Sequence, residues 1–268
     1  ITKLAQLISQ LSCYQHVAQL EVAVGEDGAA IIFRHLVEFT DEDKQKLIAF
    51  GKNTGIEIYC QPGKPDSVYK LHPDDKVQRL SYSLPDENIT MKFHPTDFTQ
   101  VNNNLNRKMI QQTLELLAPK ESDIILDLFC GIGNFTLAIA KHAKKVVGVE
   151  GSVQAIERAI ENSLGNNISN CEFHTDDLFK DCSSSIWFEN HYDAILLDPP
   201  RSGAELMVNS IERFNAKRIV YVSCNPATLA RDAGVLVNEK GYRLESAGIM
   251  NMFPHTTHVE SIALFTKE

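Results

Sequence analysis

The sequence predicts an α/β protein in which a doubly wound parallel sheet follows a small α+β unit. From residue 103 onward, short apolar runs alternate with amphipathic stretches, as expected for strands and helices in turn. The residues before this point contain a hairpin pattern and a segment over 61–86 rich in Pro, Gly, Asp and Ser, which indicates a separate, less regular unit. The chain of 268 residues is 43% hydrophobic and 23% charged, a composition typical of a globular protein. We therefore expect two domains, 1–97 and 98–268.

The first unit is predicted from three local signals. Apolar residues recur at helical spacing over 4–11. The Gly-Glu-Asp-Gly turn at 25–28 separates two apolar runs, which predicts a β-hairpin. Thr40 followed by Asp43 is typical of a helix start, and we expect that helix to run to Phe50 before Gly51 and Gly55 break it. The predicted elements are a helix over 1–14, strands over 17–24 and 29–37, and a helix over 40–50.

The second unit alternates regularly between the two kinds of element. Helices are predicted over 105–117, 135–142, 153–164, 205–214 and 227–238, between strands over 124–128, 146–150, 171–174, 194–197 and 218–222. Two closing strands follow over 242–250 and 259–265. This alternation is typical of a parallel sheet covered by helices on both faces, whose ligands bind at the carboxyl ends of the strands. Chemistry is therefore expected in the turns that follow strands.

Charge and cysteine usage exclude several classes of protein. The formal net charge is −9, from 26 Lys and Arg against 35 Asp and Glu, so no global basic field is present to hold a nucleic acid. Any nucleic acid must therefore be bound by a local part of the surface. The six cysteines are widely spaced without a CxxC pair, which favours reduced thiols and a cytoplasmic protein. No apolar run approaches the roughly 18 residues of a membrane span, so no membrane partner is expected.

A glycine-containing turn follows the first strand of the second unit. Gly131 and Gly133 let the backbone approach a ligand, but Thr136 occupies the third position of a GxGxxG pattern, which disfavours a dinucleotide. Glu150 ends the next strand, where its carboxylate can accept both hydroxyls of a ribose. A nucleoside without pyrophosphate fits this pair, and S-adenosylmethionine is the commonest one. The alternative is that the glycines make only a tight turn and Glu150 caps the next helix.

A second turn, DPPR at 198–201, follows the strand over 194–197. It places the Asp198 carboxylate at the edge of the sheet, and two rigid prolines there would shape one wall of a site. The alternative is a turn that initiates a helix with an N-terminal aspartate.

A third turn brings a thiol to the end of a strand. Cys224 lies directly before a predicted helix, and the positive end of that helix is expected to lower the pKa of its thiol. The thiol is then a candidate nucleophile, although a lone cysteine is more often a small buried hydrophobe. Cys130 occupies a similar turn and is a rival. A thiolate beside a methyl donor suits methylation of uracil C5, a poor nucleophile until a thiolate adds to C6.

Such a mechanism also needs a base that removes the C5 proton after methyl transfer. Glu260, at the start of the last apolar strand, is the candidate. A metal site built from His255, His258 and Glu260 is a competing hypothesis, but their spacing is not that of HExxH. The histidines can also be ordinary loop residues, and no metal is expected.

Several segments together resemble the RNA uracil-5 methyltransferases, nearest to those that act on bacterial 23S ribosomal RNA. In chain order these are FTQVN at 98–102, DLFCGIGNFTL at 127–137, Glu150, DPPR at 198–201, SCNPATLARD at 223–232 and HTTHVES at 255–261. The resemblance covers essentially the whole chain. It implies a class I S-adenosylmethionine-dependent methyltransferase, which has a Rossmann-like sheet, preceded by the central RNA-contacting domain of the family.

The resemblance also implies residue roles. Cys224 would be the nucleophile and Glu260 the general base. The implied contacts to S-adenosylmethionine are Gln100, Phe129, Asn134, Glu150, Asp177 and Asp198, with Asp176 a close competitor of Asp177.

The implied partner is RNA, most simply a uridine in a single-stranded or loop region of 23S ribosomal RNA, with no obligate protein partner. Full-length members carry an N-terminal TRAM domain and a four-cysteine iron–sulfur cluster. This chain is expected to lack both, and its six cysteines do not have the spacing of cluster ligands. Sister enzymes without these modules methylate transfer RNA, so a transfer RNA substrate is the alternative. A catalytically silent module that binds S-adenosylmethionine or RNA is the other alternative, although it needs neither Cys224 nor Glu260.

Overall fold

The computed structural model describes residues 1–75, 79–189, 191–251, 255–256 and 258–268. Contacts between Cα atoms divide the chain into two compact units. The first comprises Ile1–Ser83 and Met91–Val101, and the second Leu84–Thr90 and Asn102–Glu268. The sequence-based boundary lies between residues 97 and 98, whereas this division assigns 84–90 to the second unit and 98–101 to the first.

The first unit contains two helices and a mixed sheet. Its elements are α1 Thr2–Ser9, β1 Val17–Val24, β2 Ala29–His35, α2 Asp41–Thr54, β3 Glu57–Gln61, β4 Tyr69–His72, β5 Leu80–Leu84 and β6 Ile89–Phe93. The strands β1 to β4 form one sheet in that order, and β5 pairs with β6. The predicted hairpin is confirmed, because β1 and β2 pair antiparallel. Helices α1 and α2 cover the sheet through a core that includes Leu7, Phe33 and Leu47.

The prediction that Gly51 and Gly55 break the second helix is confirmed at Gly55 and wrong at Gly51. Helix α2 continues to Thr54 and ends at Gly55, which has the left-handed φ of 71°. A Cβ atom at Gly51 would lie 2.7 Å from a ring carbon of His72 and 3.0 Å from the carbonyl oxygen of Ile56. Glycine at this position therefore allows a close approach of the helix to its neighbours instead of breaking it.

Asp43 joins the ends of the two helices of this unit. Its carboxylate accepts hydrogen bonds from the backbone N–H of Ser12 at 2.8 Å and from the Ser12 hydroxyl at 2.5 Å. It also accepts from the Thr40 hydroxyl at 2.9 Å and from the Thr40 backbone N–H at 3.4 Å. Because Thr40 Oγ1 in turn accepts from the Asp43 backbone N–H at 3.1 Å, the two residues form a capping box. The bonds to Ser12 give a reason why α1 ends at Ser9, before the predicted residue 14. Burial favours a higher pKa for Asp43, but these hydrogen bonds outweigh it and lower the pKa.

The second unit is the predicted doubly wound sheet. Its elements are α3 Asn103–Leu117, β7 Ile124–Leu128, α4 Asn134–Ala140, β8 Lys145–Glu150, α5 Val153–Gly165, β9 Cys171–Thr175, β10 Ala194–Leu197, α6 Glu205–Ser210, β11 Arg218–Ser223, α7 Pro226–Asn238, β12 Arg243–Met250 and β13 Glu260–Thr266. The strand order is β12-β13-β11-β10-β7-β8-β9. Strands β7 to β11 are parallel. The α/β fold class is confirmed.

Two features of this sheet position the site. The chain winds outward from β7 through β8 to β9 and, on the other side, from β10 to β11, so the strand order reverses between β7 and β10. Ligands of such sheets bind in the crevice at this reversal. The last strand, β13, is inserted between β11 and β12 and runs antiparallel to both. Its first residue therefore lies at the edge where the parallel strands end.

In the part of the chain that the structure describes, no helix combines the length and apolar character needed to cross a membrane. All six cysteines fall in the described ranges and are free thiols.

Replacing Asp43 with Ala is expected to lower the free energy of unfolding at pH 7 by about 1–3 kcal/mol, because the donors on Ser12 and Thr40 lose their acceptor and the capping box of α2 is lost. The pKa of Asp43 is depressed by folding, so its contribution is complete above the unfolded value of about 4 and disappears as the pH falls through the folded value. Urea unfolding at several pH values measures the difference in free energy of unfolding between the parent chain and Asp43→Ala. Replacement of the exposed Asp41 with Ala serves as the control and should cost about 0.5 kcal/mol or less. If the loss of unfolding free energy in Asp43→Ala stays constant from pH 7 to about pH 3, the ionised Asp43 carboxylate is not the stabilising group.

Candidate active site

The strand register brings five of the predicted residues to one edge of the second unit. Leu128 is opposite Leu197, Leu197 is opposite Tyr221, and Ser223 is opposite Ser261. The turns that follow β7, β8, β10 and β11 and the beginning of β13 consequently lie side by side. These positions carry Phe129, Glu150, Asp198, Cys224 and Glu260.

The turn between β7 and α4 has an unusual backbone. Phe129 has a φ of 68°, which is rare for a residue with a side chain, and Gly133 has a φ of 90°. The N–H groups of Phe129 and Cys130 both donate to the carbonyl oxygen of Val149, at 2.9 and 3.1 Å. These bonds fix the turn to the end of β8, beside Glu150.

Glu150 is held at the edge by backbone groups. Its carboxylate accepts from the N–H of Gly131 at 3.3 Å and from the N–H of Ser152 at 3.0 Å. The helix that follows is capped by Ser152, whose Oγ accepts from the N–H of Ala155 at 3.2 Å, so Glu150 is not the side chain that caps it. A carboxylate has about four acceptor positions, and the two bonds above leave room for further donors such as ribose hydroxyls.

Asn134 is fixed by a residue that the sequence analysis missed. Its side-chain amide exchanges two hydrogen bonds with the amide of Asn106, at 3.0 and 2.9 Å. Asn106 lies on α3 and is 1% exposed. The only sequence signal was a polar residue on the apolar face of a helix, which does not indicate a partner.

Asp127 was also missed as a separate functional group. It is fully buried, and its Oδ2 accepts from the Thr136 hydroxyl at 2.5 Å. Its Oδ1 has no hydrogen-bond partner among the described residues. Burial, with a smaller contribution from the charge of Glu150, raises the pKa of Asp127 to about 7, although the hydrogen bond from Thr136 acts in the opposite direction. An unsatisfied buried acceptor of this kind indicates that the site receives a donor from outside the chain.

Asp198 and Glu260 add two more carboxyl groups. Burial raises the pKa of Asp198 well above its usual value, and the charges of Glu260, Asp127 and Glu150 act in the same direction. Glu260 is 4% exposed, and burial raises its pKa too. Because four carboxyl groups share this edge, the site is suited to a cationic ligand.

The expectation that the helix lowers the pKa of Cys224 is wrong for this state of the protein. Burial raises the pKa of the thiol, and the charges of Glu260 and Asp198 raise it further. The positive charge of Arg201 acts in the opposite direction but does not prevail. The helix begins beside Cys224 as predicted, but burial determines the sign of the pKa shift, and the carboxylates of Asp198 and Glu260 add to it.

Cys130, the rival thiol, lies in the core. It is 5% exposed, and burial raises its pKa well above the usual value. A Cβ atom at Gly148 on the adjacent strand would lie 3.0 Å from its sulfur, so the thiol fills the space beside that glycine. This environment is that of a small buried hydrophobe. The geometry favours Cys224 as the nucleophile.

The two neighbouring aspartates after β9 have different environments. Asp176 accepts from the Ser185 hydroxyl at 2.5 Å and from the Trp187 indole N–H at 2.6 Å, which are contacts within the fold. Asp177 is exposed and pairs with Lys180 at 2.9 Å. Of the two, Asp177 is therefore the more accessible to a ligand.

An aromatic pair lies close to this segment. The ring of Phe129 is 5.7 Å from that of Phe179, measured between centroids. Phe179 is 49% exposed, so the pair offers an apolar surface beside the exposed aspartate.

The remaining predicted residues lie in less defined surroundings. Gln100 belongs to the first unit and is partly exposed. His258 accepts at Nδ1 from the Arg201 guanidinium at 2.7 Å, and His255 is exposed. Thr257, between the two histidines, falls outside the described residues. Within the described ranges, no group of three or more His, Cys, Asp or Glu side chains is arranged to hold a metal.

Comparisons with known sequences identify similar proteins. The family model described as tRNA (Uracil-5-)-methyltransferase matches residues 68–268. A relative from Hahella chejuensis, named 23S rRNA (uracil(1939)-C(5))-methyltransferase RlmD, is 55% identical over 272 residues, covering 100% of this chain and 60% of the relative. A relative of the same name from Legionella pneumophila is 49% identical over 267 residues with the same coverage. The chain thus spans 60% of the length of these curated relatives.

Solved structures are similar over most of the chain. The Pyrococcus abyssi tRNA (uracil-54, C5)-methyltransferase in complex with S-adenosyl-L-homocysteine aligns with a TM-score of 0.71 and 27% identity, covering 91% of this chain and 58% of that one. Trm5b from Pyrococcus abyssi aligns with a TM-score of 0.59 and 16% identity, covering 98% of this chain and 77% of that one. The second likeness concerns the fold alone.

Neutralising one carboxylate beside Cys224 is expected to make its thiol more acidic, because the charges of Glu260 and Asp198 raise its pKa. The rate of iodoacetamide alkylation of the Cys224 peptide, followed by mass spectrometry across pH, reports the thiolate fraction. Asp198→Asn should move this profile to lower pH and Arg201→Met to higher pH. The exposed Asp181→Asn is the matched control and should leave the profile unchanged. An unchanged profile in Asp198→Asn contradicts the electrostatic interpretation.

Proposed function

The chain belongs to the tRNA (uracil-5-)-methyltransferase family, and from that premise we propose that it methylates carbon 5 of uracil in RNA, with S-adenosylmethionine as methyl donor. One observation carries the proposal. The thiol that follows β11 and the buried carboxyl group that begins β13 lie on paired strands at the edge where the sheet binds ligands. A nucleophile and a base on neighbouring strands are what addition and elimination at a pyrimidine ring require.

The substrate that we propose is 23S ribosomal RNA. Relatives from Hahella and Legionella that cover the whole chain at 55% and 49% identity carry that activity in their names. Bacterial ribosomal RNA is in the cytoplasm, where we propose that this chain acts. Transfer RNA is the second candidate, since the solved structure with 27% identity is a transfer RNA enzyme. Because the chain spans 60% of the relatives' length, the activity of the whole protein is part of the proposal.

S-adenosylmethionine fits the residues at the switch point. Glu150 has acceptor positions for the ribose hydroxyls, and Asp177 with the Phe129 ring is available to the adenine side. The unpaired Oδ1 of the buried Asp127 and the carboxyl group of Asp198 suit the positively charged amino acid end. Asn134 and Gln100 complete the proposed set. When bound, the cofactor supplies an electrophilic methyl group.

Cys224 carries out the first step of the proposed mechanism. Its thiolate adds to C6 of a uracil that has been turned out of the RNA stack, because ring atoms inside a helix are not accessible. The new S–C6 bond displaces the electrons of the C5–C6 double bond toward C5 and O4, which makes C5 nucleophilic. Arg201 is the nearby cation that favours the thiolate.

Glu260 completes the reaction on the methylated adduct. Its carboxylate removes the proton from C5, the C5–C6 double bond re-forms, and the thiolate of Cys224 leaves C6. Burial raises the pKa of Glu260, so its carboxylate is a stronger base than an exposed glutamate. The same burial excludes water, which would otherwise compete for the proton.

Replacing Glu150 with Ala is expected to weaken the binding of S-adenosylmethionine by about 1.5–3 kcal/mol, because it removes a charged acceptor for the ribose hydroxyls. Calorimetry on this chain measures the affinity without RNA. Glu157→Ala, an exposed glutamate on α5, is the matched control and should bind like the parent chain. Equal affinities of Glu150→Ala and Glu157→Ala would remove Glu150 from the proposed site.

RNA containing 5-fluorouridine is expected to form a covalent complex that does not release, because fluorine at C5 cannot be removed as a proton. The complex should form with Cys130→Ala and be lost with Cys224→Ala, as judged on denaturing gels with ribosomal and transfer RNA fragments. The full-length Hahella relative, run in parallel, separates a failure to bind RNA from a failure of the chemistry. Trapping that depends on Cys130 would overturn the choice of nucleophile.

The same gels test the base. Glu260→Gln keeps the size of the side chain but removes its basicity, so the adduct should form and persist on unmodified RNA. A Gln variant that releases product at the parent rate, without accumulated adduct, rules out the base assignment.

A further inference from the structure

The first two turns of α7 hold the backbone of the turn at 201–204. Asn225 Nδ2 donates to the carbonyl oxygen of Arg201 at 2.9 Å, and Thr228 Oγ1 lies 3.3 Å from the same oxygen. Arg231 Nη2 donates to the carbonyl oxygen of Ser202 at 3.0 Å. Residues at this spacing share one face of a helix, so α7 presents a row of polar side chains to the turn.

Asp232 anchors the end of this row. It is fully buried, and its Oδ2 accepts from the Ala204 backbone N–H at 2.9 Å and from the Tyr221 hydroxyl at 2.6 Å. Its Oδ1 accepts from Arg231 Nε at 2.8 Å. Both carboxylate oxygens are therefore satisfied, which is the condition for keeping a charge in the interior. Arg231 also pairs with Glu205 at 3.4 Å, so the row extends to the start of α6.

Gly203 makes the close approach possible. Its φ of 80° is left-handed, and a Cβ atom there would lie 2.5 Å from Arg231 Nη2 and 2.7 Å from Asp232 Oδ2. No side chain fits between the turn and the helix. The turn therefore packs directly against the polar row, and both its hydrogen bonds and the glycine at its centre keep it there.

The side chains of Asn225, Thr228, Arg231 and Asp232 form a clamp that connects the loop of Cys224 to the loop of Asp198. Cys224 lies two residues before α7, and the turn at 201–204 directly follows Asp198 and the two prolines. Every bond of the clamp to the turn involves backbone atoms of the turn, so the side chain of Arg201 takes no part in it. That guanidinium instead donates to His258 Nδ1 at 2.7 Å, and its charge is felt at the Cys224 thiol.

We propose that Thr228, Arg231 and Asp232 are positioning residues that hold the Arg201 guanidinium beside Cys224 and so set the reactivity of the thiol. This role rests on the proposed function only in taking Cys224 as the nucleophile. The groups that face the thiol are Asp198 from the end of β10, Glu260 from β13 and Arg201 from the turn, and only Arg201 favours the thiolate. Loosening the clamp weakens the contribution of this one cation, while the two carboxylates and the backbone hydrogen bond at Cys224, which also lowers its pKa, remain.

The test measures alkylation of the Cys224 peptide across pH on this chain, without RNA or cofactor. Arg231→Met and Thr228→Val each loosen the clamp and leave Asp232 in place, and Thr228→Val changes no charge. Both should move the profile upward, by about half a pH unit for Arg231→Met, which is about a threefold loss of thiolate at pH 7. Arg243→Met removes an exposed arginine that pairs with Glu245, and it is the control that should cause no shift.

A double-mutant cycle distinguishes positioning from general loosening. If the clamp acts through Arg201, the shift caused by Arg231→Met disappears when Arg201 is already Met. Equal shifts in both backgrounds, or no shift with either clamp variant, overturn the inference. Adduct formation with 5-fluorouridine RNA is scored separately. The cycle can show coupling between Arg231 and Arg201 while the chain never forms the adduct. That result supports the clamp and counts against the proposed function.

Discussion

The burial of several carboxyl groups at the carboxyl end of the parallel strands is the constraint on which the chemistry of this site depends, and repulsion among their charges adds to it. Burial raises the pKa of Asp127 to about 7, and burial together with neighbouring charges raises that of Asp198 well above its usual value. The same negative field acts on Cys224, whose thiol is less acidic than its place before a helix suggests. A cation that enters this edge relieves all of these groups at once, which links ligand charge to nucleophile reactivity.

The fold stabilises charge in this region with few positive charges and many hydrogen bonds. Arg201 is the cation that acts on the thiol, and the clamp from α7 holds the backbone from which it projects. The buried Asp232 forms an ion pair with Arg231 and accepts a hydrogen bond from the Tyr221 hydroxyl, so it adds little negative charge to the edge. Both of its oxygens are satisfied within the fold, whereas Oδ1 of Asp127 has no partner among the described residues.

The sequence was sufficient for what depends on local pattern. The strands at 124–128 and 194–197 were predicted with the observed bounds, because fully buried parallel strands read as short apolar runs between breaks. The role of Gly51 is a close approach to His72, which is distant in the sequence, so the local pattern did not reveal it. The predicted sign of the Cys224 pKa shift was wrong for a similar reason, because the burial of the thiol and the nearby carboxylates of Asp198 and Glu260 arise only when distant strands pair. The pairing of Asn106 with Asn134 likewise had no local signature.

The antiparallel β13 has a consequence for the order in which the site becomes complete. It pairs with β12 as a hairpin and docks on β11 across a separation of 48 residues between Arg218 and Thr266, so its placement involves one of the longer loop closures of the sheet. Glu260 reaches the edge only when this docking occurs. An intermediate in which β7 to β11 have formed without β13 would hold the thiol but not the buried carboxyl group. Closure of the sheet and the arrival of Glu260 at the edge that carries Cys224 are therefore one event.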